Sequence, residues 1–318
     1  MKILVSAPLN FIDKNKLKEF KNEELIINPL KDYDSVINFN KDNIVAWMVN
    51  PCPEYFVSGE ILSSFKDLKI IVTPSTGSTH IDNDYCKKNN ITVKTLRDTN
   101  VTQTITASSE FTLALFLNVI RNFPKAMENI SNNLWRVNEN QMRGREVSCL
   151  SIGIVGLGRI GGNVARYLNS MGAEINYFDP YVNDEAYNKF KDLNKMLSIC
   201  DAVFICVHVA EDTIDMVNFD FIKNMKDNSY FINTSRGEII VEQDLVDALQ
   251  SGKIKAAGVD VIRNENSDKI DDNLLVQYAS KNNNLIITPH IAGLSTDSES
   301  KAQIAAFKMI FNFLKNDK

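Results

Sequence analysis

Three histidines are the side chains of this chain expected to titrate near neutral pH, and one of them directly follows an apolar run. His290 stands in LIITPHIAGLS, residues 285–295, behind a proline and shortly before a glycine. Imidazole has an unperturbed pKa of about 6.5, so it can give or take a proton at neutral pH. His80 and His208 are the other candidates. A histidine at a strand end is also frequently a hydrogen-bonded structural residue, so this stretch alone leaves both roles open.

A glycine-rich turn is the second group of residues that points to chemistry. Gly156, Gly158 and Gly161 in SIGIVGLGRIGG follow a β-rich run and begin a segment with helical character. The first glycine of such a turn permits a tight bend, the second lets a phosphate approach the backbone, and the third lets the helix pack on the strand. The helix N-terminus then offers unpaired N–H groups to the phosphates. The pattern predicts a dinucleotide-binding site, with a purely structural glycine turn as the alternative.

Asp179 extends this pattern at the end of the next β-rich run, AEINYFD. An acidic residue about 20 residues after the glycine turn accepts hydrogen bonds from ribose hydroxyls and repels a 2′-phosphate. The following PYVND contains no arginine that could receive such a phosphate. The sequence therefore predicts NAD rather than NADP as the cofactor.

The hydrophobic pattern predicts a β/α scaffold for these residues. In the first part of the chain, polar stretches alternate with the runs KILVSA, ELIINP, NIVAWMV, LKIIVTPS and ITVKTL. A helix around 110–121 precedes a second series, SIGIVG, AEINYFD, AVFICVHV, SYFINTS, AAGVDV and LIITP. Such alternation is typical of parallel sheets, and the six runs of the second series predict a full dinucleotide-binding sheet. Apolar residues near helical spacing after His290 predict one amphipathic helix that returns to the first domain.

Composition and charge argue against several classes of function. The net charge of -5 and the pI of about 5.4 disfavour a nucleic-acid or anionic-membrane partner. The longest apolar stretch, 111–120, is too short to span a bilayer and predicts a buried helix. The five cysteines are scattered and form no Cys-x-x-Cys pair, which predicts reduced core thiols, no metal site and a cytoplasmic location.

Four separated motifs resemble the D-isomer-specific 2-hydroxyacid dehydrogenases, and together they span nearly the whole chain. They are TPSTGSTHID (73–82), GIVGLGRIGG with Asp179, NTSRGEII with AAGVDV, and TPHIAG (288–293). The expected fold is α/β with two Rossmann-like parallel-sheet domains. An NAD domain, 100–293, is inserted into a discontinuous flavodoxin-like substrate domain, 1–99 plus 294–318.

The resemblance implies three catalytic residues: Arg236 binds the substrate, His290 donates the proton and Glu265 is the acidic partner of the histidine. Reduction of a 2-oxo acid requires a hydride for the carbonyl carbon, a proton for the oxygen and a fixed cation for the carboxylate. A planar, permanently charged guanidinium suits the last task. A carboxylate behind an imidazole fixes its tautomer and favours its charged form.

Further contacts are implied by the same resemblance. Gly77 and Ser78 would form the tip of a loop whose backbone N–H groups hold the substrate carboxylate. The other expected cofactor contacts are Arg159, Ile160, Thr234, Ser235, Asp260 and Gly293.

The implied activity is the NAD-dependent interconversion of a D-2-hydroxy acid and a 2-oxo acid by a homodimer. D-3-phosphoglycerate is a candidate substrate, with phosphate contacts from Arg97, Arg136, Arg143 or Arg145. One alternative is a non-catalytic NAD(H)-sensing protein of the corepressor type, and another is a relative that acts on formate or phosphite.

Two segments depart from the family pattern. Asn266 stands where family members usually have a proline after the catalytic glutamate, and a proline would stiffen that loop. Ser108 and Ser109 precede Glu110 where Val-Ala-Glu is commoner. The sequence therefore leaves the identity of the substrate open.

Overall fold

The computed structural model describes residues 1–12, 24–265 and 269–316, and the chain divides into two compact units. The first unit consists of Met1–Ile105 and Leu294–Lys318, and the second of Thr106–Gly293. Each unit is built around one parallel sheet. The predicted α/β class with two parallel-sheet domains, the first of them discontinuous, is confirmed.

The first sheet has the strand order β2-β1-β3-β4-β5, which is that of flavodoxin-like folds. All five runs predicted in this part of the chain form its strands. Side chains of β3 are all buried, as expected for a central parallel strand that is covered on both faces. The strands are β1 (Lys2–Val5), β2 (Glu24–Ile27), β3 (Ile44–Met48), β4 (Ile70–Val72) and β5 (Thr92–Lys94).

The second sheet has the order β12-β11-β10-β9-β6-β7-β8, the doubly wound order of dinucleotide-binding sheets with one further strand. Six of its strands are the predicted runs. The seventh, β8, consists of two exposed residues, and its shortness leaves no alternating pattern to detect. The strands are β6 (Ser151–Val155), β7 (Glu174–Phe178), β8 (Asn188–Lys189), β9 (Ala202–Ile205), β10 (Ser229–Asn233), β11 (Ile254–Val259) and β12 (Leu285–Ile287).

The helices connect these strands, and several begin at a side-chain cap. Asp82, Asp192, Asn218 and Asn273 each accept a hydrogen bond from a backbone N–H of the first turn that follows. In chain order the helices are α1 (Tyr33–Ile37), α2 (Gly59–Ser63), α3 (Asn83–Lys88), α4 (Ala107–Ile120), α5 (Phe123–Ser131), α6 (Glu139–Met142), α7 (Arg159–Ser170), α8 (Leu193–Ile199), α9 (Phe219–Asn224), α10 (Glu242–Ser251), α11 (Leu274–Ala279) and α12 (Thr296–Asn316).

The last helix, α12, returns to the first unit as predicted. Its buried face includes Phe307, Ile310 and Leu314, which pack with Ile3 and Val72 of the first sheet in one hydrophobic cluster. This packing completes the first unit.

The first unit extends to Ile105, beyond the division expected at residue 99. Two 3₁₀ turns, Leu96–Asp98 and Asn100–Thr104, follow β5. Val101 and Ile105 pack against Ala302 and Ala305 of α12, so this segment stays with the first unit. The division at 293/294 coincides with the predicted one.

The cysteine prediction was partly wrong. Cys86 and Cys200 are buried, and Cys206 is half-buried, but Cys52 and Cys149 are exposed. Both exposed cysteines lie in loop or 3₁₀ segments, where neighbouring apolar letters do not imply burial.

No helix in the described part of the chain is long and apolar enough to cross a membrane. The stretch 111–120 lies within α4 instead. Phe116 and Val119 of this helix are fully or almost fully buried in the core of the second unit.

Candidate active site

The glycine turn joins β6 to α7 with the geometry that its three glycines permit. Gly156 has φ +90°, a backbone conformation that favours glycine. A Cβ at Gly161 would lie 2.1 Å from the carbonyl oxygen of Gly156, so glycine alone allows this close approach. Gly158 is the N-cap of α7, and a Cβ there would meet no atom within 4 Å. The turn is thus closely packed at Gly156 and Gly161 and open at Gly158.

Arg159 and Ile160 form the first residues of α7, both half-buried. Ile160 packs against the core cluster of the second unit. Their backbone N–H groups belong to the first turn of the helix, where donors have no partner within the helix. These groups and the open glycine turn fit the phosphates of a dinucleotide.

Asp179 follows β7 and is almost fully buried. One carboxylate oxygen accepts the N–H of Leu157 at 2.8 Å, and the other accepts those of Tyr181 and Val182 at 2.8 and 2.9 Å. Burial by itself raises the pKa of this carboxyl, but the three backbone donors outweigh burial and lower the pKa. Asp179 therefore fixes the glycine turn to the end of β7, a role that the sequence did not reveal. A carboxylate has about four acceptor positions, so one remains for a ribose hydroxyl.

Arg236 is placed by a turn that the side chain of Asn233 builds at the end of β10. The amide oxygen of Asn233 accepts the N–H of Ser235 at 2.9 Å, and its amide nitrogen donates to the carbonyl of Arg236 at 2.9 Å. Such local side-chain bonds are what suits asparagine to turns. The guanidinium of Arg236 is exposed and donates to the carbonyl of Ser235.

Thr234 and Ser235, predicted beside the cofactor, also lie in this turn. The hydroxyl of Thr234 is 2.7 Å from that of Thr112 in α4, and Thr112 also donates to the carbonyl of Ser108. The hydroxyl of Ser235 donates to the carbonyl of Ile205 at the end of β9. These bonds hold α4 and β9 against the end of β10, and Thr112 is a contributor that the motif comparison missed.

Asp260 organises the histidine segment from the end of β11. One of its carboxylate oxygens accepts the Thr288 hydroxyl at 2.5 Å and the N–H of Ile291 at 3.0 Å, and the other accepts the N–H of Ala292 at 2.8 Å. The backbone carbonyl of Asp260 accepts the N–H of His290. Asp260 was predicted as a cofactor contact, and the structure shows that it holds the segment 288–292 in place.

His290 and Glu265 lie together: Nδ1 of the histidine is 2.6 Å from Oε1 of the glutamate. Both side chains are partly exposed. His290 has φ +53°, which is uncommon for residues other than glycine and is found at functional sites. The hydrogen bond with Glu265 raises the pKa of His290, against the lowering effects of burial and of the Arg236 charge, and the charge of Asp260 adds to the rise. His290 and Glu265 are therefore in contact, and the charge of Arg236 acts on the same imidazole.

Gly237 explains why the turn of Arg236 and the segment of Glu265 lie side by side. A Cβ at this glycine would lie 2.1 Å from the carbonyl carbon of Ile262, so the two backbones touch. Asn266, which stands where the family usually has proline, lies outside the described residues. Gly293 ends the histidine segment, and a Cβ there would be 3.8 Å from the hydroxyl oxygen of Ser108.

The predicted substrate loop lies in the first unit, between β4 and α3. The hydroxyl of Ser75 donates to the carbonyl of Gly77 and accepts from the hydroxyl of Thr73, and Asn83 donates to the carbonyl of Ser78. Within the described parts of the chain, the backbone N–H groups of Gly77 and Ser78 have no protein acceptor. Such donors suit a carboxylate.

The other two histidines differ from His290. Nε2 of His80 is buried without a hydrogen-bond partner among the residues described, and burial lowers the pKa of His80 to about 4. This histidine is therefore neutral at physiological pH. His208 is exposed after β9, and its carbonyl accepts the hydroxyl of Thr213.

Comparisons with known proteins match most of the chain to one family. Residues 113–292 match the NAD binding domain of the D-isomer specific 2-hydroxyacid dehydrogenases, and residues 4–138 match the catalytic domain of that family. The chain is 31% identical to the glyoxylate reductase of Thermofilum pendens over 91% of this chain and 80% of that protein. It is 30% identical to the formate dehydrogenase of Neurospora crassa over 81% of this chain and 70% of that protein.

The solved structure of D-lactate dehydrogenase from Aquifex aeolicus, complexed with NAD and lactic acid, is similar over 100% of this chain and 96% of that chain. The TM-score is 0.80 and the sequence identity is 27%. With its glycine turn, its paired histidine and glutamate, and both family matches, the chain belongs to the D-isomer specific 2-hydroxyacid dehydrogenases, a family of NAD-dependent oxidoreductases.

Proposed function

We propose that the protein interconverts a D-2-hydroxy acid and a 2-oxo acid with NAD(H) as the cofactor. The observation that carries this proposal is the 2.6 Å contact between His290 and Glu265, with the charge of Arg236 nearby. When bound, NADH supplies the hydride that reduces the carbonyl carbon. The glycine turn, the first turn of α7 and Asp179 would hold the cofactor.

In the direction of reduction, the protonated imidazole of His290 donates its proton to the carbonyl oxygen of the substrate. Glu265 stabilises the imidazolium and fixes which ring nitrogen faces the substrate. In the direction of oxidation, the neutral imidazole takes the proton of the hydroxyl group. Arg236 binds the carboxylate of the substrate and orients its carbonyl.

The acid–base pair favours a hydroxy acid over formate. Oxidation of the formate anion to carbon dioxide transfers a hydride and releases no hydroxyl proton, so that reaction needs no proton acceptor. Oxidation of a 2-hydroxy acid releases one proton, and His290 is placed to accept it. We therefore assign the pair to hydroxy-acid chemistry.

A substrate without a phosphate is the class that we favour. Of the arginines considered for a phosphate, Arg136 and Arg143 both pair with Glu139 on the surface, and Arg145 donates to a backbone carbonyl. Three of the four candidates thus already have protein partners, and the fourth, Arg97, is exposed after β5. Glyoxylate, pyruvate and hydroxypyruvate are consequently better candidates than 3-phosphohydroxypyruvate.

The test measures NADH oxidation by absorbance with a panel of glyoxylate, pyruvate, hydroxypyruvate, 2-oxoglutarate and 3-phosphohydroxypyruvate. Formate and phosphite are tested as donors in the reverse direction. His290→Asn is expected to retain NADH binding and to lose turnover by about 10² to 10⁴, the usual contribution of general acid–base catalysis. Arg166→Gln, a change of an exposed arginine on α7, is the control.

Three results would contradict the proposal or its mechanism. Turnover with formate or phosphite and none with any 2-oxo acid would assign another donor. NADH binding without turnover in either direction would favour the sensor function instead. An unchanged turnover of His290→Asn would remove this residue from the mechanism.

We also propose that the protein is a homodimer formed through the second unit. Support comes from apolar side chains that are substantially exposed on α5 and the segment that follows it, namely Phe123, Met127, Ile130, Leu134, Trp135 and Val137. Exposed apolar patches of this kind commonly mark protein interfaces. Trp135→Glu is expected to yield a monomer in light scattering, whereas Phe219→Glu, at an exposed aromatic residue of α9, is expected to leave the dimer intact. A wild-type monomer would contradict the proposal.

A further inference from the structure

Arg263 is unusually well bound for a partly exposed arginine, and it stands two positions before Glu265. Its Nε donates to the carbonyl of Ile240 at 2.9 Å, and its Nη2 donates to the carbonyl of Glu238 at 2.7 Å. Nη2 also forms an ion pair with the carboxylate of Asp215. One guanidinium therefore joins the segment that carries Glu265 to two other parts of the chain.

The backbone of Arg263 is held as firmly as its side chain. Its N–H donates at 2.8 Å to Oε1 of Glu242, which is the first residue of α10. The amide of Asn273, the N-cap of α11, donates to both carboxylate oxygens of Glu242 at 3.1 and 2.9 Å. The same amide lies 3.4 Å from the carbonyl of Arg263. The segment is thus bound on both sides of residue 263.

The residues that Arg263 contacts lie next to the rest of the catalytic group. Glu238 lies in the 3₁₀ turn Gly237–Ile239, which directly follows Arg236, and Ile240 is the next residue after this turn. Gly237 touches the backbone of Ile262 and Arg263. The guanidinium therefore connects the turn of the substrate arginine with the segment of the catalytic carboxylate.

We propose that Arg263 is a positioning residue, which fixes Glu265 against His290 by holding its segment to the turn after Arg236. This inference rests on the proposed function, in which the pair moves the substrate proton. A simple surface ion pair is the alternative, and such pairs contribute little to either structure or stability. The two backbone carbonyls bound by the same guanidinium distinguish Arg263 from an isolated ion pair.

An arginine suits this position better than a lysine. The planar guanidinium presents Nε and Nη2 in a fixed geometry, so it can bind two carbonyls and a carboxylate together. An ammonium group is a single charge at the end of a flexible chain and cannot reproduce the Nε contact. Arg263→Lys is therefore expected to restore only part of the function that Arg263→Met loses.

The direct effect of charge and the effect of position have opposite signs at His290. The charged groups that face this imidazole are Glu265, Arg236 and Asp260. Removing the positive charge of Arg263 would by itself raise the pKa of the imidazole slightly. Loss of the contact with Glu265 would lower that pKa. A lowered pKa in Arg263→Met therefore reports displacement of Glu265 and not the lost charge.

The experiment titrates the histidines of the full-length protein by NMR, without cofactor or substrate. Three histidines give few signals, and His290→Asn assigns the relevant one. We expect Arg263→Met to lower the pKa of His290 and leave His80 and His208 unchanged. We also expect kcat to fall about 10- to 100-fold, the scale of a small misplacement of a catalytic group, with the Kd of NADH unchanged. Lys253→Met, which breaks a surface ion pair of the same unit, should change neither quantity.

An unchanged pKa of His290 and an unchanged kcat in Arg263→Met would overturn the inference. If that variant does not fold, Arg263→Lys keeps the positive charge but loses the Nε contact, and a smaller decrease in the same pKa is expected; no decrease there would also overturn the inference. Glu265→Gln separates the two proposals. Failure of that change to lower the pKa of His290 would refute the catalytic pair itself, whatever Arg263 does.

Discussion

Gly161 provides a sharp test of the cofactor site because its neighbour Gly162 serves as a matched control. A Cβ at Gly161 would stand 2.1 Å from the carbonyl oxygen of Gly156, closer by about 1 Å than real Cβ contacts allow. A Cβ at Gly162 would meet only the carbonyl oxygen of Leu157, at an ordinary 3.8 Å. The same single methyl group is therefore forbidden at one position and tolerated at the next.

The expected magnitudes follow from this difference. Gly161→Ala must displace the turn, and such overpacking costs about 1–3 kcal/mol of unfolding free energy. Gly156 and Gly158 lie in the displaced turn, so contacts with the phosphates should be lost. A loss of about 1.4 kcal/mol of binding free energy raises the Kd of NADH tenfold. Gly162→Ala places alanine in helix α7, which should stabilise the protein by about 0.5–1 kcal/mol and leave the Kd unchanged.

The assay combines a fluorescence titration with NADH and urea unfolding of both variants. We expect the two substitutions to move stability in opposite directions and only Gly161→Ala to weaken NADH binding. Equal Kd values for both variants would refute the assignment of this turn to the cofactor. Equal stabilities would show that the close approach of Gly161 to Gly156 is not required.

Three further predictions concern other parts of the second unit. Asp179→Asn places an amide where backbone N–H groups donate, so the Kd of NADH should rise at least about fivefold and the preference for NADH over NADPH should decrease. Titration with both cofactors measures these changes, and an unchanged preference would contradict the assignment of Asp179 to cofactor selection. Thr112→Val leaves the buried hydroxyl of Thr234 without this partner and should cost about 1–3 kcal/mol in urea unfolding, more than Thr234→Val, while equal losses would argue against the pair. Reduction needs a protonated His290, so kcat should fall as pH rises through the raised pKa of this histidine, and Glu265→Gln should shift the decrease to lower pH in a pH–rate profile. The His290–Glu265 pair should also stabilise the fold fully below about pH 6.5, the pKa of histidine in the unfolded chain. This contribution should be lost as pH rises through the higher pKa of the folded state.

Much of the architecture could be predicted because buried parallel strands appear in the sequence as continuous apolar runs. β3, β6 and β10 are examples, with most or all of their side chains buried. β8 escaped prediction because two exposed residues carry no pattern. The start of the second unit was placed too early because the pattern does not show that Val101 and Ile105 pack on α12.

For the candidate site, the motifs predicted which residues meet but not what holds them. His290 and Glu265 are 25 positions apart and were linked by a family resemblance, and the structure brings them into contact. Arg263 was overlooked because the partners of its side chain, such as Asp215, lie far from it in the sequence. Contacts between such distant positions follow from the packing of strand ends, which a single sequence does not specify.

The discontinuous first unit has a consequence for how the protein is made. Its sheet is covered by α12, and Phe307 and Ile310 of this helix belong to the same core as Ile3 of β1. During synthesis at about 5–20 residues per second, the chain up to Ile105 waits roughly 10 to 40 s for this helix, while the whole second unit emerges. The first sheet therefore passes through this interval with an apolar face uncovered. We infer that the unit in the middle of the chain folds first, and that the nascent first unit is the stage most exposed to chaperones and to aggregation.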